Sequence, residues 1–116
     1  MTDAFDPRNE YDRLTKISDA AFAAGSFDVT YHVLMAALHC AADADDPERM
    51  RRVAVTCREC LRAIDSRHHQ HRLSSEGSAS RGTVNVFQSG AGTAEAMAQH
   101  AELDARLHAG QDKNPT

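Results

Sequence analysis

Apolar residues recur every three or four positions along two neighbouring stretches of the chain, residues 11–24 and about 27–42. This spacing places them on one face of an α-helix, so each stretch predicts an amphipathic helix. Gly25 favours the end of the first helix, and Ser26 is a suitable N-cap for the second. The very short turn between the two helices predicts an antiparallel hairpin.

A third helix is predicted to begin after Asp46, which can cap it, with Pro47 in its first turn. Its apolar stripe consists of Met50, Val53, Ala54, Cys57, Cys60, Leu61 and Ile64. The same phase continues through His68 and His71, which predicts a helix that runs to about residue 72. Together the three helices predict a core domain over residues 10–72.

Small polar residues dominate residues 73–92, a segment that cannot bury enough apolar surface to offset its ordering entropy. It is therefore predicted to be a linker, although residues 83–87 alternate in the manner of a short β-strand. A weaker helix is predicted over residues 93–109. Its thin apolar stripe consists of Met97, His100, Leu103 and Leu107.

The predicted fold class is all-α: a small antiparallel three-helix bundle with a flexible linker and a peripheral C-terminal helix. Residues 1–9 and 110–116 are expected to be a flexible N-terminus and a tail. Only 19 of the 116 residues are Ile, Val, Leu or Phe, whereas 20 are Ala. A core with so few bulky groups contributes little burial, and this predicts self-association, because a second copy adds buried surface.

Nine residues of the hairpin have the sizes and offsets of one known repeat: Leu14, Ile17, Ala21, Phe22, Gly25, Phe27, Leu34, Ala37 and Leu38. In these positions, over residues 11–44, the chain resembles a tetratricopeptide-type (TPR-like) repeat. It departs from that pattern at Ser18, at Thr30 and in the late position of Pro47. No second copy has the same offsets, so the resemblance implies a single helical hairpin of TPR-like packing and not a repeat array.

Charge is distributed in blocks along the chain. Residues 1–48 carry a net −7, residues 49–81 a net +5 and residues 82–116 a net −2, which gives −4 in total. Adjacent blocks of opposite sign can attract each other within the fold or steer a charged partner. We expect either attraction within the chain, with the acidic first half as a partner of the basic block, or a solvated charged face.

Several observations predict a cytoplasmic protein without a membrane segment. No apolar run reaches the roughly 18 to 20 residues that a membrane helix needs, and the first residues are acidic where a signal peptide is basic. Cys40, Cys57 and Cys60 are an odd number and too few for a disulfide scaffold, which fits a reducing compartment.

The segment Cys57–Cys60 is a C-x-x-C motif, and histidines follow it in the sequence. Thiolate and imidazole are the ligands that zinc prefers, so Cys57, Cys60, His68 and His71 are candidate zinc ligands. On a straight helix, however, Cys60 and His68 lie about 12 Å apart along the axis. Both cysteines also lie on the apolar stripe, which favours buried structural thiols, and a redox pair is a further alternative.

Arginines follow the polar side of the third helix, and Arg51, Arg52, Arg58 and Arg62 are candidate partner-binding residues. Such a row can contact phosphates, but this segment has no aromatic side chains to stack on unpaired bases, and the net charge is negative. An acidic protein partner fits the row about as well as nucleic acid does, and the acidic first half of the same chain or a second copy of the chain fits it better.

No motif in the chain places a nucleophile or a general base, so a catalytic role has no support. The favoured hypothesis is a non-catalytic helical interaction or adaptor module that binds a protein partner or a second copy of itself, without a cofactor. The first alternative is a metal- or redox-responsive regulator that uses the Cys57/Cys60 pair and the histidines. The second is nucleic-acid binding through the Arg-rich third helix.

Overall fold

The computed structural model describes residues 4–112, over which five helices follow one another without any strand. They are α1 Pro7–Ala23, α2 Phe27–Asp43, α3 Pro47–Arg67, α4 Ser75–Ser80 and α5 Val86–Asp112. The all-α class is therefore confirmed. None of the helices in this part of the chain is long and apolar enough to cross a membrane.

The predicted hairpin is formed by α1 and α2. The Asp6 carboxylate accepts a hydrogen bond from the Arg8 backbone N–H, and Pro7 occupies the first turn, so α1 begins inside the predicted flexible N-terminus. Residues 1–3 of that predicted segment lie outside the described residues. Gly25 has a φ of 78°, a left-handed conformation that glycine adopts at low cost, and it turns the chain into α2. The predicted cap is wrong in one detail, because the Ser26 side chain makes no capping hydrogen bond.

Helix α3 begins as predicted but ends earlier. The Asp46 carboxylate accepts a hydrogen bond from the Arg49 N–H across 3.0 Å, and Pro47 is the first helical residue. The helix stops at Arg67, and the chain then turns, with the imidazole Nδ1 of His71 accepting from the Leu73 N–H at 3.0 Å. The predicted continuation to residue 72 is thus wrong, because local hydrogen bonds of the histidine segment replace the helical ones.

The predicted linker over residues 73–92 is also wrong, because it contains α4 and the first turns of α5. Ser74 caps α4 by accepting from the Gly77 N–H at 2.9 Å. The Asp65 carboxylate of α3 accepts from both the N–H and the hydroxyl of Ser75, at 2.7 and 2.6 Å. Hydrogen bonds of short polar side chains therefore order this segment, which apolar burial alone does not do.

Asn85 begins α5 where the alternating sequence predicts a strand. Its side-chain oxygen accepts hydrogen bonds from the backbone N–H groups of Phe87 and Gln88, at 3.0 and 3.1 Å. Its amide nitrogen donates to the Leu73 carbonyl and to the Ser78 hydroxyl, at 2.8 and 3.1 Å. One buried side chain thus caps α5 and ties it to the segment before and within α4.

Helix α5 belongs to the core and is not peripheral. Its buried face consists of Phe87, Ala91, Ala94 and Ala98, all at most 2% exposed. Small side chains on that face allow α5 to pack closely along α3. The stripe predicted for this helix is different, and of its members Leu103 and Leu107 are 54% and 60% exposed. The helix also extends to Asp112 instead of ending at 109, and residues 113–116 of the predicted tail lie outside the described residues.

The helices form two close pairs, α1 with α2 and α3 with α5, and the pairs join chiefly where α2 packs on α3. The shared core includes Leu34, Leu38, Val53 and Ile64, each at most 2% exposed. Helices α1 and α3 both lie against α2 but do not pack closely on each other. This arrangement leaves a groove between them.

Candidate partner-binding groove

The groove between α1 and α3, called the α1–α3 groove below, has a cavity of about 720 Å³ at its wider end. Phe22 of α1 and Ala63 of α3 are on its walls, and Phe27 and Thr30 of α2 form its floor. A second, smaller cavity continues it along the same two helices towards Tyr11, and the two share Ser18, Asp19 and Thr56. From Tyr11 to Phe22 the groove follows about 16 Å of α1, or roughly three helical turns.

Tyr11 and Arg49 close the narrow end of the groove. The Tyr11 hydroxyl donates to the Arg49 carbonyl across 3.4 Å, and the Arg49 guanidinium lies 5.4 Å from the centre of the Tyr11 ring. Arg49 is held in place by Asp46, whose carboxylate is 2.5 Å from a guanidinium nitrogen. Since this contact joins the beginnings of α1 and α3, the groove opens towards their carboxyl ends.

The floor of the wide end is aromatic. The rings of Phe22 and Phe27 are 5.1 Å apart, and the His68 imidazole lies 5.5 Å from the Phe27 ring. The buried hydroxyls of Ser18 and Thr30 donate to the backbone carbonyls of Thr15 and Ser26, at 2.8 and 2.9 Å. Because these hydroxyls are already paired, the floor favours an apolar ligand group.

The Cys57 and Cys60 thiols are structural groups of the core in this fold. They are free cysteines with exposures of 0% and 7%. Burial raises the pKa of Cys57 to about 11. Burial, with smaller contributions from Cys57 and from the carboxylates of Glu59 and Asp19, raises the pKa of Cys60 to about 12. Both thiols therefore stay protonated at neutral pH, which disfavours thiolate chemistry.

The histidines predicted as metal ligands lie at the end of α3 and in the turn after it. His68 and His71 both pack against the Phe27 ring, with ring centres 5.5 and 5.0 Å from it. His68 lines the groove with Cys60, whereas Cys57 lies in the core. Within residues 4–110, no three His, Cys, Asp or Glu side chains are grouped so that they can hold a metal ion. The structure thus does not bring the four candidates together as one zinc site.

The four candidate arginines of α3 have different surroundings. Arg51 forms a two-point ion pair with Glu102 of α5, one of whose contacts is 3.1 Å, and Arg58 lies 3.1 Å from Glu95 of the same helix. Arg52 pairs with Glu48, one turn earlier on α3. The remaining candidate, Arg62, takes no ion pair within the described residues.

The expected attraction between charge blocks is therefore present, and it involves both acidic blocks. Arg51 and Arg58 bind carboxylates of α5, not of the acidic first half of the chain. Arg49, Arg52 and Arg72 pair with Asp46, Glu48 and Asp28 of the first half. Since two of the four arginines hold α5 on α3, the surface that remains for a phosphate backbone is small.

Sequence reasoning did not find the groove, because a groove depends on how three helices pack. Two residues of the groove nevertheless stand out in the sequence. Ser18 and Thr30 are the positions where the hairpin departs from the TPR-type pattern, and both line the groove. A buried hydroxyl at a helix crossing holds the neighbouring helices slightly further apart than alanine or glycine does.

Comparisons of the chain with protein-family models, with curated proteins and with solved structures find no match.

Proposed function

We propose that this chain is a non-catalytic helical protein-interaction module whose α1–α3 groove binds a segment of a partner protein. The observation that carries the proposal is the groove itself: an open cavity of about 720 Å³ with an aromatic floor and charged walls. Apolar grooves between helices are a recurring way of binding an amphipathic segment. The side-by-side helix pairs also support the proposed TPR-like packing of the hairpin.

The alternative functions have less support. A redox regulator needs accessible thiolates, and burial disfavours the thiolate forms of Cys57 and Cys60. A metal regulator needs grouped ligands, and the described side chains include no group of three that can hold an ion. Nucleic-acid binding needs free cations, and Arg51 and Arg58 are paired with Glu102 and Glu95. Neither alternative function makes use of the α1–α3 groove.

A displayed library of random 16-residue peptides, selected on the full chain, tests the proposal. Selected peptides are then measured by fluorescence anisotropy against the wild type and against Ala63→Phe, which places a ring in the groove. Ala96→Phe is the matched control, because Ala96 is exposed on α5, outside the groove. We expect the peptides to bind the control like the wild type and the Ala63→Phe variant about tenfold or more weakly. Peptides that bind all three proteins equally would rule out the groove as the binding site.

The second part of the proposal is self-association, with Leu103 and Leu107 as its contact. These side chains lie one turn apart on α5, beyond the last fully buried position at Ala98, and both are more than half exposed. Two exposed leucines on one helix face gain burial by packing on a second copy. Sedimentation equilibrium at low micromolar concentration is expected to show a dimer that Leu103→Glu/Leu107→Glu abolishes. A monomeric wild type would contradict the proposed self-association and leave the groove proposal intact.

A further inference from the structure

Two carboxylates face the wide end of the α1–α3 groove from opposite walls. Asp19 comes from α1 and Glu59 from α3, and both side chains are exposed. Both contribute to the raised pKa of the Cys60 thiol, after burial and Cys57, which places each carboxylate near the same point of the groove. The only guanidinium on this part of the groove wall, within the described residues, is that of Arg67.

These two carboxylates differ from those on the opposite side of α3. There Glu95 and Glu102 are neutralised by Arg58 and Arg51. Neither Asp19 nor Glu59 forms an ion pair with a basic side chain within residues 4–110. The groove therefore presents two carboxylates beside an aromatic floor, and no ion pair within residues 4–110 neutralises either of them.

Resting on the function proposed above, we infer that the groove binds a basic amphipathic helix of a partner protein, with a Lys or Arg side chain between Asp19 and Glu59. An apolar side chain of the same helix packs on Phe22 and Phe27. A cation between two carboxylates gains charge-assisted hydrogen bonds, while the apolar group gains burial on the rings. The occupant is helical because the described residues offer no sheet edge, and about 16 Å of groove accommodates roughly three turns.

The experiment uses a second displayed library in which only the charge varies. Each 16-residue peptide has Leu, Ile, Phe or Met at positions 3, 6, 10 and 13 and an equal mixture of Lys and Glu at the flanking positions. The library is selected on the full chain, on Asp19→Asn/Glu59→Gln and on Asp43→Asn/Asp104→Asn. The last variant loses the same charge at exposed positions outside the groove. Circular dichroism verifies that all three proteins are folded.

We expect Lys to be enriched over Glu on the wild type and on the outside variant, and this bias to disappear on Asp19→Asn/Glu59→Gln. Individual Lys-rich peptides should bind the groove variant about tenfold more weakly, and their affinity for the wild type should fall as salt is raised from 0.05 to 0.5 M. Binders without a Lys bias that still lose affinity for Ala63→Phe would overturn this inference and leave the proposed function standing. A library that gives no Ala63→Phe-sensitive binder would overturn both.

Discussion

Asn85 and Leu73 are joined by a buried hydrogen bond in which the Asn85 amide nitrogen donates to the Leu73 carbonyl across 2.8 Å. This bond links the start of α5 to the turn after α3. The Asn85 oxygen at the same time caps α5 by accepting from Phe87 and Gln88. A single side chain thus fixes where the longest helix begins and how it meets the rest of the fold.

We expect Asn85→Ala to lower the free energy of unfolding by about 2 to 3 kcal/mol, because it removes a cap and leaves buried groups unpaired. Asn85→Ser retains the ability to cap but not the bond to Leu73, and it should recover about 1 kcal/mol of the loss. Urea unfolding followed by circular dichroism measures both. An alanine variant within 0.5 kcal/mol of the wild type would show that Asn85 does not hold α5.

Gly77 is required by the close approach of α4 to the preceding turn. A Cβ atom at this position would lie 2.1 Å from the His71 carbonyl oxygen and 2.9 Å from the Arg72 Cα. Gly77→Ala therefore forces α4 away, and we expect a loss of about 1 to 3 kcal/mol in urea unfolding. Gly92 is the matched control, because a Cβ there meets nothing within 4 Å. Gly92→Ala in α5 should stabilise by about 0.5 to 1 kcal/mol.

The ion pair between Arg51 and Glu102 predicts a specific pH dependence. Its hydrogen bond lowers the pKa of Glu102 below the ordinary value of 4.5. A lowered carboxyl pKa stabilises the fold at pH values above 4.5, and that contribution declines as the pH falls below it and Glu102 takes up a proton in the folded state. Glu102→Gln should therefore have a lower urea midpoint than the wild type at pH 7, and the difference should disappear at low pH.

Salt and a second variant control the measurement on Glu102. Because the pair lies at the surface, 1 M NaCl should reduce the difference at pH 7. Asp43→Asn removes one negative charge at an exposed position at the end of α2, and it reports the general effect of that loss. A Glu102→Gln difference that is the same at pH 7 and pH 3 would argue against the ion pair.

The thiols are expected to be unreactive while the protein is folded. With the pKa of Cys57 raised to about 11 and that of Cys60 to about 12, on the order of one thiolate in a thousand or fewer is present at pH 8. Ellman's reagent should modify these cysteines only slowly in buffer, and all three cysteines at once in 6 M guanidinium chloride. Native mass spectrometry of the reduced protein with added zinc should show no specific adduct. Rapid modification of Cys60 would support the redox hypothesis. A bound zinc ion that is lost in the Cys57→Ser/Cys60→Ser variant would support the metal hypothesis.

Local signals in the sequence predict the first three helices well. Asp46 and Pro47 mark the start of α3, and Gly25 marks the turn of the hairpin, because each acts on its immediate backbone neighbours. The same kind of signal is present at Asn85, three residues before Gln88. The β-branched residues Val84 and Val86 on either side of it instead favour a strand, and tertiary contacts through Phe87 override that preference.

The packing face of α5 and the groove depend on other parts of the molecule. Ala91, Ala94 and Ala98 form the buried face because α3 approaches closely, whereas the larger Leu103 and Leu107 remain exposed. A packing face predicted from bulky apolar side chains therefore includes the two leucines and misses the three alanines. The groove follows from the separation of α1 and α3 on α2, and the neighbourhood of Asp19 and Glu59 follows from that geometry, not from their positions in the sequence.

Backbone amide chemical shifts of the ¹⁵N-labelled full chain, recorded during titration with a selected peptide, show directly whether the peptide binds in the α1–α3 groove. We expect the shift changes to concentrate on the walls and floor of the α1–α3 groove, at residues that include Ser18, Phe22, Thr30 and Ala63. The buried face of α5 at Ala91 should be unaffected. Changes that concentrate instead on the exposed end of α5 around Leu103 and Leu107, with none in the groove, would contradict the groove proposal.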